Sequence, residues 1–305
     1  MINFSKGYFL AMGALLSVLL LSSCRSIPED IPIELSHSPY AGSSLPLLLV
    51  EYFPYPELPS GKLRPMPSYS GWTDSRMRRD LSRIRSYGID GVLLSVTPED
   101  FAESIRSERI RRFFDLASEL SPPLRVGLLV GGSKDYEIAS GNIAQYLDQQ
   151  GLAKHKSALL LDGKAVLAFR EDIKLIRQVQ HPTESFATFR RLGEDWHSVP
   201  AGATPGRLSQ MEKFTWVKAG DNSKLPGSVD NKHQADWILP RGKGKNFANR
   251  LRLAFQNKAG IVCIHSWNDF GDGSFIEPNT MDGNQMGIVV FNEKQALKTA
   301  PRPAP

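Results

Sequence analysis

Three continuous apolar runs alternate with two helical patterns in the first half of the chain. The runs are LPLLLVEYF (45–53), IDGVLLSV (89–96) and LRVGLLVGG (124–132). A short apolar run bounded by proline or glycine is typical of a strand buried on both faces. Amphipathic helical patterns over 73–88 and 108–120 lie between the runs. This alternation predicts an α/β fold in which helices cover a parallel sheet.

The second half of the chain adds further elements at wider spacing. SALLLDGKAVLAF (157–169) places two apolar runs around an Asp-Gly turn signal, so it is either a hairpin or a lead-in strand followed by the fourth strand of a barrel. The other patterns predict a helix over 181–193, a strand over 212–220, a helix over 246–258 and a last strand over 260–267.

The length of the patterned region favours a barrel. Six strands can be assigned with a possible seventh, and residues 46–293 span about 250 residues, the usual size of a single (β/α)8 TIM-type barrel. A doubly wound open sheet is the alternative. That fold usually carries a glycine-rich phosphate turn after its first strand, and EYFPYPELPSG (51–61) contains none.

The N-terminus carries an export signal. Lys6 precedes an apolar run, Tyr8 to Leu21, that is too short to span a bilayer comfortably. The run ends in Leu-Ser-Ser-Cys, which resembles a bacterial lipobox and predicts lipidation of Cys24. The mature protein would then be exported and lipid-anchored to the bacterial membrane, in the periplasm or at the cell surface. The alternative is an ordinary signal peptide or anchor helix whose cysteine is incidental.

These patterns divide the chain into four parts. Residues 1–23 are a lipoprotein signal peptide, and residues 24–45, which mix Pro, Ser and Gly without a period, are a flexible tether. The catalytic or binding domain spans 46–293. Residues 294–305 end in APRPAP and are expected to form a disordered tail.

Charge and composition exclude several classes of partner. The formal net charge of +5 is spread along the chain, and its basic runs lie in amphipathic helices without interleaved aromatic residues, so we expect no nucleic-acid binding. The second cysteine, Cys263, lies in an apolar run and is expected to be a buried core residue. No metal or cofactor motif is recognised, and the calcium-loop pattern that begins at Asn268 fails because Phe270 occupies a ligand position. We expect a monomer.

The stretch SWNDFGDGSFIEP (266–278) follows the last strand, at the end where barrel enzymes carry their active sites. Asp269 and Asp272 lie three apart, so mutual repulsion and partial burial would raise the pKa of one carboxyl and leave the other ionised. Glycosidic cleavage needs such a pair. Trp267, Phe270 and Phe275 are candidates for a wall that stacks on sugar rings, and Asn268 for holding a hydroxyl. The alternative is a structural loop rich in turn-forming residues.

Further candidates for substrate binding lie near other strand ends. Tyr52 and Tyr55 follow the first strand, and Trp72 stands at the end of the long loop after it. His265 ends the last strand, where it either orients a carboxylate or substrate hydroxyl or is a hydrogen-bonded structural histidine.

The stretch HSWNDFGDGSFIEP (265–278) resembles the signature of glycoside hydrolase family 99-like proteins, in which Trp-Asn-Glu-Trp-x-Glu-Gly is followed by Ile-Glu-Pro. VEYFPYP, YGIDGVLLSV and LDGKAVLAF resemble other family segments in the same order. The resemblance implies a (β/α)8 barrel that hydrolyses internal α-linkages of a polysaccharide or glycan with retention. Carried over, Asp269 would assist the sugar 2-hydroxyl as nucleophile and Asp272 would be the general acid/base. Glu277 would anchor the loop or contact substrate.

The chain departs from that signature because both catalytic-type glutamates are aspartates. Each carboxylate retracts by about one C–C bond length, a misplacement that can cost about 100-fold in rate. Three interpretations remain: an active hydrolase with shifted geometry, an enzyme that uses another carboxylate such as Glu51 or Glu99, and a barrel that binds glycans without cutting them. A structural lipoprotein with no carbohydrate site is a fourth, and it predicts buried aromatic residues near the mouth.

Overall fold

The computed structural model describes residues 46–56, 63–131, 137–138, 143, 147–161, 163–170, 174–175, 186–192, 195–198, 214–221, 239–256 and 260–299. The expected signal peptide (1–23), the expected tether (24–45) and Cys24 lie outside these residues.

The described strands are β1 (Leu47–Tyr52), β2 (Gly91–Val96), β3 (Arg125–Val130), β4 (Glu137–Ile138), β5 (Leu160–Leu161), β6 (Lys164–Phe169), β7 (Lys174–Leu175), β8 (Phe186–Leu192), β9 (Asp195–Ser198), β10 (Phe214–Lys218) and β11 (Ile261–His265). The α-helices are α1 (Asp74–Ser86), α2 (Pro98–Ala102), α3 (Ser104–Glu119), α4 (Lys245–Gln256) and α5 (Gln285–Thr299). None of these helices is long and apolar enough to cross a membrane.

Seven parallel strands form the main sheet, in the order β10–β11–β1–β2–β3–β6–β8. Antiparallel β5 and β9 are added to β6 and β8, whereas β4 and β7 pair separately. From β1 to β8 the order follows the chain, and the first and last strands pair in parallel, with Leu49 opposite Cys263. The predicted α/β class and parallel sheet are therefore confirmed. In the described residues the sheet ends at β9 and β10.

The two faces of the sheet are packed differently. The outer core lies between the sheet and the helices and includes Val50, Leu94 and Ile264 from strands with Leu81, Phe113 and Leu251 from helices. The inner core consists of Leu49, Leu93, Leu129, Leu159, Val166, Ala168, Ile261 and Cys263. No described helix contributes to the inner core, so this face is covered by the strands themselves. A doubly wound sheet has helices on both faces, and this arrangement counts against it.

The first helix illustrates how local signals place these elements. The Thr73 side chain accepts a hydrogen bond from the Arg76 N–H at the start of α1, as an N-cap does. Met77, Leu81 and Ile84 are buried on one face of the helix. Gly88 then adopts φ +77°, a left-handed conformation that favours glycine after a helix end.

One sequence prediction of an element is wrong. Residues 181–193 were expected to be helical, but Phe186–Leu192 form β8, which pairs in parallel with β6 from Ala165 opposite Phe186 to Phe169 opposite Arg190. The segment FATF carries two phenylalanines and a β-branched threonine, and such residues favour strands once a neighbouring strand is available. The expected hairpin around Gly163 is present, and its second arm, β6, is also the next parallel strand.

The expected tail also differs. The helix α5 continues to Thr299, so the prediction of disorder from residue 294 does not hold for residues 294–299. Lys294 is buried, and its ammonium group lies 2.6 Å from the Asp90 carboxylate and donates to the Pro46 carbonyl at 3.2 Å. This contact joins the end of the domain to the start of β1.

Candidate active site

A layer of polar side chains continues the inner core at the carboxyl ends of the strands. Side chains alternate between faces along a strand, so the residue two positions after an inner-core residue faces the same way. The carboxyl ends of parallel strands meet at one mouth. We call these residues the inner polar layer: Glu51, Ser95, Arg170, Lys218 and His265.

His265 is at the centre of the layer. Its Nδ1 is hydrogen bonded to the Glu51 carboxylate, and its Nε2 lies 3.0 Å from Asp272 Oδ2 and 3.8 Å from Asp269 Oδ2. The ring stacks on Trp216, with 5.0 Å between centroids, and meets the edge of Phe53 at 6.1 Å. Burial alone would lower the pKa of His265, but the charges of Glu51 and Asp272 outweigh it and raise that pKa to about 9. The side chain is therefore an imidazolium at neutral pH.

Glu51 is completely buried and ionised. Arg170 donates to its Oε1, and the same Arg170 Nη2 donates to Ser95 Oγ at 3.1 Å. Burial alone would raise the pKa of Glu51. The positive charges of Arg170 and His265 outweigh that effect and lower the pKa to about 2.

The contact between Arg170 and Glu51 shows that the sheet is curved. Arg170 follows β6 and Glu51 lies in β1, with β2 and β3 between them. Neighbouring strands are about 4.8 Å apart, so three intervals amount to about 14 Å in a flat sheet. Side chains that stand perpendicular to a flat sheet would not meet over that distance. At Gly131, which follows β3, an added Cβ would lie 2.5 Å from Arg170 Cδ, so glycine there gives the arginine room to pass.

The loop after β11 holds the two aspartates. Asp269 Oδ1 accepts from the N–H groups of Gly271 (3.1 Å) and Asp272 (3.4 Å), whereas Asp272 Oδ1 accepts from the Ser274 N–H at 2.9 Å. The fully buried Arg241 donates to two carbonyls of the same loop, those of Gly273 and Phe275, at 2.9 Å each. The loop geometry is thus set by hydrogen bonds between the two acids and on the C-terminal side of the pair.

The two carboxyl groups have opposite electrostatic environments. For Asp272, burial is outweighed by His265, by a hydrogen bond from the Ser274 side chain and by the Lys218 ammonium at 3.2 Å, so its pKa lies well below the usual range. For Asp269, burial and the negative charge of Asp272 raise the pKa to about 6, although His265 opposes the rise. The predicted splitting of the pair is present, with Asp272 ionised and Asp269 able to carry a proton near pH 6.

The pair remains accessible and close. The Asp269 side chain is 27% exposed and the Asp272 side chain 20%. One carboxylate oxygen from each, together with a ring nitrogen of His265, lies within 4.8 Å of the others. These three residues could offer ligands to a metal ion, but the Lys218 ammonium and the His265 imidazolium already supply positive charge to Asp272. The arrangement fits an acid–base pair better than a cation site, and the absence of a metal or cofactor stays a prediction.

The expected stacking wall is not formed. Trp267, Phe270 and Phe275 are fully buried, and the two phenylalanines stack on each other with centroids 4.4 Å apart. Tyr52 is also buried, because alternation along β1 turns it toward the helices when Glu51 faces inward. Trp72 is buried beside it, with 6.5 Å between the ring centroids. There the Tyr52 hydroxyl donates to Asp80 at 3.0 Å. Tyr55 is 48% exposed and remains a candidate.

Asn268 and Glu277 support the site from below its surface. Asn268 is buried; its Oδ1 accepts from the Phe53 N–H and its Nδ2 donates to the Phe53 carbonyl, both at 2.8 Å. It joins the loop to the end of β1 and is not free to hold a substrate hydroxyl. Glu277 is buried as well and accepts from the Tyr69 hydroxyl at 2.8 Å. The loop-anchoring role foreseen for Glu277 agrees with this contact.

Sequence reasoning missed Arg170, Lys218, Ser95 and the two aromatic rings beside His265, those of Phe53 and Trp216. The usable signal was alternation: Lys218 stands two residues after Trp216, and Arg170 two residues after Ala168. Glu51, named as an alternative carboxylate, belongs to the site. Glu99 lies in the first turn of α2, outside the inner polar layer.

Comparison with known proteins identifies the fold. No protein-family model and no curated protein matches the sequence. Among solved structures, a family 99 (GH99) endo-alpha-mannosidase from Bacteroides thetaiotaomicron, in complex with bis-tris-propane, matches with a TM-score of 0.60 and 12% identity, over 83% of this chain and 97% of that chain. A second structure of a GH99 endo-alpha-mannosidase from that organism matches with a TM-score of 0.56 and 11% identity, over 84% of this chain and 99% of that chain. A glycoside hydrolase-like protein matches with a TM-score of 0.53 and 10% identity, over 88% of this chain and 97% of that chain. The similarity to glycoside hydrolase family 99-like proteins is therefore confirmed at the level of the fold.

Proposed function

We propose that this chain is a retaining glycoside hydrolase that cleaves internal α-linkages of a polysaccharide or glycan at the mouth of a closed (β/α)8 barrel. The observation that carries the proposal is the pair of partly exposed carboxyl groups, Asp269 and Asp272, whose environments keep Asp272 ionised and let Asp269 hold a proton up to about pH 6.

Three features support the closed barrel. The first and last parallel strands pair, no described helix packs in the inner core, and Arg170 reaches Glu51 across three strand intervals. In addition, Cα atoms of β9 and β10, the two edges of the sheet, come within 8 Å of each other. Closure at that seam would give an eight-stranded barrel whose strand β9 runs antiparallel to β8, which departs from the all-parallel (β/α)8 pattern.

The charges assign the two carboxyl groups distinct roles. Asp269, with the raised pKa, gives its proton to the oxygen of the departing sugar as the glycosidic bond breaks. Asp272, held as an anion, accepts the proton of the sugar's own 2-hydroxyl as that oxygen forms a bond to the anomeric carbon. Water then attacks the same carbon and gives its proton to the Asp269 carboxylate, while Asp272 returns its proton to the 2-oxygen. These roles are the reverse of those that the family resemblance implies. Oxygens within 4.8 Å of each other favour retention, because inverting pairs stand about 6.5–9.5 Å apart.

A non-catalytic glycan-binding barrel is the second candidate. One observation favours it: Asp272 is already engaged by three donors, which leaves its carboxylate less available for chemistry. The burial of Trp267, Phe270 and Phe275 favours neither candidate, since it is what a barrel without a carbohydrate site predicts. The same scaffold would then bind a polysaccharide without turnover.

We further propose that Cys24 carries a lipid anchor and that the domain acts as a monomer in the periplasm or at the cell surface. The support is the lipobox-like Leu-Ser-Ser-Cys and the export signal before it.

The test is product release by the full chain, purified in detergent and incubated with α-mannans, α-glucans and bacterial surface polysaccharides. Asp269→Asn and Asp272→Asn should each reduce the release of oligosaccharides by about 100-fold or more. Glu119→Gln, a change at an exposed acid on α3, is the control and should leave release unchanged. If no polysaccharide yields oligosaccharides but all three variants bind one of them, the glycan-binding barrel would be favoured.

A further inference from the structure

We propose that His265 is a positioning residue that holds the Asp272 carboxylate in place through one ring nitrogen while Glu51 holds the other. The inference rests on the proposed function and adds a named support to its ionised carboxylate.

The position of His265 is fixed by Glu51. Glu51 lies in β1 with no exposed surface, and its two oxygens are engaged by Arg170 and by His265 Nδ1. The ring of His265 stacks on Trp216 of β10 and makes a T-shaped contact with Phe53, which follows β1, so its plane is fixed by rings on two other parts of the sheet. Its Nε2 therefore presents a donor at a set position to Asp272 Oδ2, 3.0 Å away.

A second cation reaches the same oxygen but is shared. Lys218 lies 3.2 Å from Asp272 Oδ2 and also 2.8 Å from Asp221 Oδ2. Its flexible stem can follow either acid. His265 cannot, since both of its nitrogens have partners. We infer that His265 fixes where the carboxylate stands and that Lys218 contributes mainly charge.

This support compensates for a short side chain. An aspartate reaches about one C–C bond less far than the glutamate of the family signature, and a misplacement of that size can cost about 100-fold in rate. A donor fixed on β11, within the barrel wall, keeps the shorter carboxylate in one orientation. Its other oxygen is bound by the Ser274 N–H.

The charged groups that face His265 come from four elements: Glu51 on β1, Lys218 on β10, Asp269 and Asp272 on the loop, and Arg170 after β6, which acts through Glu51. Removing the imidazolium would raise the pKa of both loop carboxyl groups, because His265 lowers each of them. The alkaline limb of a pH–rate profile, which Asp269 sets, would therefore move to higher pH.

Two substitutions distinguish the contributions of the two ring nitrogens of His265. His265→Gln can keep a donor near the Nε2 position, and His265→Asn near the Nδ1 position, and neither carries charge. We expect kcat to fall about 10-fold for His265→Gln and about 100-fold for His265→Asn, with KM changed less than threefold. Both variants should shift the alkaline limb of the pH–rate profile to higher pH. His155→Gln is the matched control: its ring also bridges an acid, Asp115, and a serine, Ser157, but outside the site.

A measurement without turnover tests the bridge itself. With 13C-labelled histidine, the His265 resonance is identified among the chain's six histidines by its loss in His265→Gln. We expect it to titrate near pH 9 in the wild type and at lower pH in Asp272→Asn. Titration at or below pH 7, or no change in Asp272→Asn, would overturn the inference. So would a loss of kcat in His265→Asn with an unmoved alkaline limb, since a merely structural role predicts that.

The two proposals fail in different ways. If the wild type shows no turnover on any polysaccharide, the proposed hydrolase activity is ruled out. The titration of His265 alone then decides whether His265 holds Asp272. Turnover in the wild type together with an unmoved alkaline limb in both variants would support the hydrolase and rule out the proposed role of His265.

Discussion

The guanidinium of Arg170, directly after β6, donates to the buried carboxylate of Glu51 in β1, three strand intervals away. The same carboxylate accepts from His265, which in turn reaches Asp272. A chain of alternating charges thus runs from one side of the mouth to the loop that carries the acid pair. Its members belong to separate elements, so the site depends on the curvature of the sheet.

Replacing Arg170 with methionine should destabilise the protein by about 3 kcal/mol, because it leaves the buried Glu51 with only part of its compensating charge. Urea unfolding of the full chain measures the free energy. Arg78→Met is the matched control, since Arg78 pairs with Glu119 at the surface, where about half of each side chain is exposed, and it should cost less than about 1 kcal/mol. Equal losses in the two variants would contradict the curved-sheet contact.

The pH dependence of hydrolysis should follow Asp269. Its pKa of about 6 means that the proton needed by the leaving oxygen is lost as pH rises through about 6, so kcat/KM should fall about tenfold per pH unit above that point. Asp272 stays ionised far below this range, so no acidic limb should come from it. The measurement is kcat/KM from about pH 4 to 9, and the control Glu119→Gln should keep the same limb. A rate that rises between about pH 6 and 8 would reverse the assigned roles.

The sequence was sufficient for the framework and for the loop that bears the two aspartates. The apolar runs at β1, β2, β3 and β11 are continuous and bounded by Pro or Gly, so strands were predicted without knowing their neighbours. The segment that became β8 carries a pattern compatible with a helix, and only pairing with β6 decided its structure.

The supporting residues were harder to predict because they depend on strand orientation. A shift of one residue exchanges the faces of a strand, so Tyr52 and Glu51 were equally eligible for the mouth from the sequence. The structure turns Glu51 inward and Tyr52 outward. Arg170 and Lys218 lie far from Asp272 in sequence, and no local pattern records which strands become neighbours.

Replacing Asn268 with aspartate, a side chain of the same size, should destabilise the protein. In Asn268→Asp a carboxylate replaces the amide that donates to the Phe53 carbonyl, so a buried acceptor would face another acceptor. We expect a loss of about 2–3 kcal/mol in urea unfolding. Asn246→Asp is the control, because Asn246 is exposed and its amide donates to the Pro240 carbonyl, and it should cost less than about 1 kcal/mol. A tolerated Asn268→Asp would mean that the loop is not fixed through Phe53.

Membrane attachment should depend on one of the two cysteines. Cys24→Ser should abolish incorporation of radiolabelled palmitate in cells and move the protein from the membrane fraction to the soluble fraction. Cys263→Ser is the natural control, since Cys263 is buried in the inner core and its change should leave labelling intact. If Cys24→Ser still incorporates radiolabelled palmitate, Cys24 is not the site of the lipid anchor.

Glu277 should make the protein less stable in alkaline solution. Burial, reinforced by the charge of Asp80, raises its pKa from the ordinary 4.5 to about 8. The folded protein therefore keeps a proton that the unfolded chain releases, and the resulting stability is full below about pH 4.5 and is lost as pH rises through about 8. Glutamine cannot ionise and still accepts from the Tyr69 hydroxyl. The melting temperature of Glu277→Gln should thus fall less than that of the wild type between about pH 5 and 9, whereas the exposed control Glu119→Gln should follow the wild type. Parallel curves for wild type and Glu277→Gln would show that Glu277 is ionised in the folded protein.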